Sequence, residues 1–65
     1  MMNLEAYCGK KVSVLASNGK TFSGIVDDFF FADDNDSGMD SIIVKTNNGE
    51  YIEFPEDDIS EIKEI

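Results

Sequence analysis

The sequence predicts an all-β domain with a minor helical part: five short antiparallel strands, strongly bent into a small barrel, with a short N-terminal helix across one end. Three observations predict it. Apolar and polar residues alternate in short runs. Asn18-Gly19 and Asn47-Asn48-Gly49 separate those runs with tight-turn chemistry. Gly24 interrupts the longest run, where a missing side chain lets a sheet curl. An open meander of this size would leave its edges exposed, so closure into a barrel is expected.

The elements follow in order. Asn3 to Cys8 reads as a short helical turn, with Asn3 as its N-cap and Leu4 and Tyr7 on one face. Gly9 ends it. Lys11 to Ser17 reads as the first strand, with Val12, Val14 and Ala16 on one side. Asn18-Gly19 follows, both residues tolerating positive φ. The second strand starts near Lys20 or Thr21 and puts Phe22, Gly24 and Val26 on one face. It runs on through Asp27, Asp28, Phe29, Phe30, Phe31 and Ala32. Ser41 to Thr46 is a third strand and Glu50 to Phe54 a fourth, which Pro55 stops because it cannot donate to a ladder. Pro55 to Asp58 reads as one tight helical turn. Ile59 to Ile65 closes the chain as a bent fifth strand.

With 65 residues the chain is one domain, 1–65, near the lower size limit for folding without staples. Cys8 is the only cysteine and histidine is absent, so neither an internal disulfide nor a zinc cluster is expected. Met1 to Cys8 lacks the apolar run of a signal peptide, and no segment approaches the roughly 20 apolar residues of a membrane span. With a free cysteine, this points to a cytoplasmic protein.

The formal charge is −9 and it is unevenly placed. In residues 1–32, Lys10, Lys11 and Lys20 balance Glu5, Asp27 and Asp28. In residues 33–65, Lys45 and Lys63 face eleven acids, which accounts for the whole −9. Arginine is absent. Nucleic-acid binders carry a basic face because phosphate neutralisation drives their affinity; this composition is the opposite.

The run "VSVLASNGKTFSGIVDDF", Val12 to Phe29, resembles the first signature block of the Sm-like (LSm) proteins. Val12 and Val14 stand in its first strand, Asn18-Gly19 in its polar turn, then Phe22, Gly24 two positions later, and Phe29 where the family often has an aromatic residue. "YIEFPEDDISEI", Tyr51 to Ile62, resembles the family's fourth strand, tight turn and fifth strand, and "NLEAYCGK", Asn3 to Lys10, its N-terminal helix. The resemblance implies an Sm-like barrel, and rings made by pairing the fourth strand with a neighbour's fifth. The RNA-contact loops depart from the family pattern. The positions of Asp-x-x-(apolar)-Asn that meet RNA bases hold Phe30, Asp33 and Asp34, and the second loop is Pro55-Glu56-Asp57-Asp58. No RNA-contact residue carries over.

Two stretches are candidate sites. In "ADDNDSGMDS", Asp33, Asn35 and Ser37 have the spacing of calcium ligands 1, 3 and 5 of an EF-hand loop, with Gly38 at position 6 and Asp40 as a further oxygen donor. Val44 stands where that loop needs its bidentate glutamate, and no helices flank it. The same residues make an ordinary acidic strand connection, and this reading is preferred to a metal site. In Phe29-Phe30-Phe31, alternation forces either Phe30 or the Phe29 and Phe31 pair away from the core, where it could pack on a partner or a second copy; the preferred reading is that the sheet bends there and the helix around Leu4 and Tyr7 covers the outer face. Asp27-Asp28 and Asp57-Asp58 read as surface charge, and no nucleophile–base set exists without histidine. The sequence therefore predicts a non-enzymatic interaction module that binds protein or self-associates, with no cofactor and no small-molecule substrate. An RNA-binding Sm-like ring is the alternative.

Overall fold

The computed structural model describes residues 3–65; Met1 and Met2, where the stretch read for a leader begins, lie outside the described residues. Five strands form one antiparallel sheet: β1 Lys11–Ala16, β2 Thr21–Phe30, β3 Ser41–Thr46, β4 Tyr51–Pro55 and β5 Ile59–Glu64. Their spatial order is β4-β3-β2-β1-β5. The N-terminal segment is a single 3₁₀ turn, Leu4–Tyr7, and the Asn3 side chain makes no capping bond to it. Gly9 ends the turn at φ +80, as its sequence position predicts.

One face of every strand enters a common core. Val12, Val14 and Ala16 of β1 alternate into it, as does Val26 of β2. Ile42 and Val44 come from β3, Phe54 from β4, Ile59 from β5, and Leu4 closes it from the N-terminal turn. Each fully buried aliphatic side chain contributes about 1.5–3 kcal/mol relative to exposure.

The sheet has to curl. In a flat sheet of this order β4 and β5 would lie four strand spacings, roughly 19 Å, apart. Only the 3₁₀ turn Glu56–Asp58 joins them, and such a turn advances about 2 Å per residue. Phe54 and Ile59, from opposite edges of the sheet, accordingly meet the same core. Gly24 permits the curl. It pairs with Val12 on one side and Thr46 on the other, and a methyl group on it would overlap the Lys45 carbonyl.

The sheet nevertheless stays open, which corrects the expectation of a barrel. Beyond the Glu56–Asp58 turn, β4 and β5 do not pair, and each remains an edge strand. Both hairpins also differ from the two-residue form. Only Gly19 (φ +89) and Gly49 (φ +88) have positive φ; Asn18 and Asn48 do not. Ala16 and Thr46 each donate to a residue four positions on (Lys20 and Glu50), while Gly19 and Gly49 donate back to them. This is the three-residue loop with a glycine bulge.

The second strand stops at Phe30, earlier than its apolar run suggests, and Asp27 is an extra residue between the Val26↔Val44 and Asp28↔Ile43 pairs. Pro55 does not stop β4 but is its last residue, opposite Ser41.

Candidate functional site

The bulge at Asp27 decides where the three phenylalanines go. Before it, even-numbered residues of β2 point inward; after it, the odd-numbered ones do. Phe29, opposite buried Ile42, therefore packs against the core. Phe30 lies on the outer face opposite Ser41 and is half-buried. Phe31 follows the strand end, is 54% exposed, and meets Phe29 edge to face at 4.8 Å between ring centroids. Of the three candidates, Phe31 is the one that presents a large apolar surface.

The Asp33–Asp40 segment is held by its own polar groups. Asp40 Oδ1 accepts from the Ala32 amide at 2.9 Å, and the Asp40 carbonyl accepts from the Glu56 amide at 2.9 Å. Ser37 Oγ accepts from the Met39 amide at 3.3 Å. Asn35 turns its Nδ2 inward, donating to the Met39 carbonyl at 2.7 Å and to Ser41 Oγ at 3.1 Å. Asp33 belongs to a short 3₁₀ turn, Ala32–Asp34. Of the calcium candidates, Asp40 and Ser37 thus use side-chain oxygens, and Asn35 its amide nitrogen, in holding the loop. Among the described residues, no three Asp, Glu, Cys or His side chains converge as a metal-binding group.

Ser41 is the one buried polar side chain among the described residues, 1% exposed. Its hydroxyl accepts from Asn35 and donates to Glu53 Oε2 at 3.0 Å. That chain ties the loop to β4. Beside it lies an open depression of about 460 Å³, lined by Asp34, Asn35, Asp36, Ser37, Glu53 and Pro55. It carries three carboxylates and no cation.

The two edge strands are unlike. The Thr46 amide bonds the Glu50 carbonyl and the Glu56 amide bonds the Asp40 carbonyl, so even-numbered residues of β4 bond to β3. The backbone groups of Tyr51 and Glu53, and the Pro55 carbonyl, then point to the open side. A proline fits there because no ladder needs its missing N–H. On β5 the Ile65 amide bonds the Lys11 carbonyl, so Ile62 and Glu64 point to the open side. That edge is partly covered. The Tyr7 hydroxyl donates to the Ile62 carbonyl at 3.4 Å, and Lys10 Nζ lies 3.5 Å from Glu64 Oε1.

On the inner side of β4 run two adjoining shallow depressions of about 380 and 310 Å³, with Phe22 and Ile52 lining both. Phe22 stacks obliquely on Phe54 at 5.4 Å. On the outer side Tyr51 is 61% exposed, with Lys45 Nζ 5.7 Å from its ring centroid. Cys8 is exposed and unpaired.

Tyr51, Glu53 and Ile52 are not singled out by the sequence, and Phe22 is placed by it only on one face of the second strand. Alternation in "EYIEF" separates Tyr51 and Glu53 from Ile52 and Phe54, but only the strand order makes β4 an edge. No helix among the described residues is long and apolar enough to cross a membrane. Comparison with protein-family models, curated proteins and solved structures finds no match for this chain.

Proposed function

We propose that this chain is a non-enzymatic interaction module whose binding sites are the open edges of its curled sheet. The observation that carries the reading is the strand order, which leaves β4 and β5 unpaired although a three-residue turn joins them. An unpaired edge presents a row of backbone donors and acceptors that another chain can complete. The side chains favour binding over chemistry. Histidine is absent, the exposed acids are spread along loops and edges, and Phe31 and Tyr51 offer apolar contact.

The Sm-like resemblance supports the same reading. That family forms rings by pairing its fourth strand with a neighbour's fifth, and here β4 and β5 are the two edge strands. The RNA-binding alternative draws no support from the site: the loop at Asp33–Asp40 and the turn at Glu56–Asp58 are acidic.

The test is an amide-resolved NMR footprint of association. Two samples serve, the protein alone at rising concentration and the protein with a library of extended heptapeptides. Shifts gathered on Tyr51–Pro55 or Ile59–Glu64, with or without Phe31, are expected. A footprint centred on Ser13 and Ser23, in the middle of the outer sheet face, would contradict the reading.

A further inference from the structure

We infer that the β4 edge accepts an extended, basic segment of a partner protein, paired backbone to backbone with Tyr51 and Glu53. This rests on the reading of the edges as binding sites and names the partner's chemistry.

Three independent observations select β4. First, the two edges differ in access. The Tyr7 hydroxyl already occupies the Ile62 carbonyl of β5, and Lys10 lies over Glu64, whereas no backbone partner among the described residues meets Tyr51 or Glu53 on the open side. Second, a strand added at β4 would lay alternate side chains over the depressions that Phe22 and Ile52 line, beside Phe54. It would thereby extend the curl of the sheet across its open seam. Third, the charge at the Pro55 end of β4 is negative, while Lys45 lies over the Tyr51 ring at the other end. Asp34, Asp36 and Glu53 line the depression next to Pro55, with Glu53 held in place by Ser41. A segment with apolar residues facing inward and lysine or arginine facing outward satisfies both sides.

A second copy of this chain fits less well. Its β5 would bring Glu61 and Glu64 against these carboxylates with only Lys63 to offset them, and each copy carries −9.

The experiment uses the isotopically labelled whole chain with three heptapeptides of alternating valine and lysine, valine and glutamate, or valine and threonine. Amide exchange at Tyr51 and Glu53 is the readout. The lysine peptide is expected to slow both amides by about tenfold or more, and to lose affinity as salt rises past about 0.1 M, where exposed charges become screened. The glutamate peptide is expected to leave them unchanged. Joint replacement Asp34→Asn and Asp36→Asn, which leaves the β ladders intact, should weaken the lysine peptide about tenfold. Tyr51→Pro, which removes an edge-facing amide that β3 does not use and leaves the Ser41–Glu53 bond in place, should abolish protection at Glu53.

Equal protection by the glutamate or threonine peptide would overturn the basic preference while leaving the edge reading standing. Exchange unchanged by all three peptides would overturn both. Protection that grows with protein concentration alone, and appears on Ile62 and Glu64 as well, would assign the edge to a second copy instead.

Discussion

The α-carbon of Gly24 lies against the carbonyl of Lys45 so closely that no side chain fits between β2 and β3 at that point. The contact sits where β2 is paired on both sides, to Val12 and to Thr46. Any added atom must push the Lys45 strand away and flatten the curl.

Gly24→Ala is therefore expected to destabilise the fold by about 1–3 kcal/mol, the usual cost of overpacking. Ser23→Ala, one residue away on the outer face, should stay within about 0.5 kcal/mol of the parent. Urea midpoints of the three proteins check this. A Gly24→Ala midpoint equal to that of Ser23→Ala would contradict the close approach.

Ser41 is the polar pin between the acidic loop and the edge strand. Ser41→Ala removes the acceptor for Asn35 and the donor to Glu53. A loss of about 1–2 kcal/mol is expected, since the neighbours keep access to water. For a domain of this size that is a fall in melting temperature on the order of 4–15 °C, read by circular dichroism.

The phenylalanines separate by depth. Phe29→Ala removes a ring packed on the core and should cost about 2–4 kcal/mol, toward the low end because the site is only half-buried. Phe31→Ser removes a ring that is 54% exposed and should cost under about 1 kcal/mol. If Phe31 contributes to association, its substitution lowers the apparent mass of any complex without unfolding the protein. Sedimentation and thermal melting together distinguish the two effects.

Calcium and RNA can be tested on one labelled sample. With Asp40 Oδ1 and Ser37 Oγ committed to hydrogen bonds inside the loop, millimolar calcium is expected to leave the Asp33–Asp40 amide shifts in place. Oligo-U and oligo-A at low salt are expected to show no micromolar affinity, because a chain of charge −9 repels phosphate. Directed shifts along the loop with calcium, or a micromolar dissociation constant with either oligonucleotide, would reverse these assignments.

The strands were legible in the sequence where alternation and turn residues bound them, most plainly in β1. Val12, Val14 and Ala16 fill the core as their spacing demands, and β3 spans Ser41–Thr46 as read. What stayed hidden depends on contacts between strands. The bulge at Asp27 inverts the phase of β2, so "DDFFF" alone cannot say whether Phe29 or Phe30 faces inward. Pro55 looks like a terminator until β4 is known to be an edge, where its missing N–H costs nothing. The candidate site shares this limit. Tyr51 and Glu53 are ordinary strand residues by pattern, and only the order β4-β3-β2-β1-β5 turns their backbone groups toward solvent.

That order is the centre of the functional reading, and amide exchange of the free protein in dilute solution tests it most directly. Ile52 and Phe54, bonded to β3, should be protected, while Tyr51 and Glu53 exchange much faster; on β5, Glu64 should be faster than Lys63. Tyr51 and Glu53 protected as strongly as Ile52 would mean that the β4 edge is already covered, by closure of the sheet or by another chain, and would contradict an open binding edge.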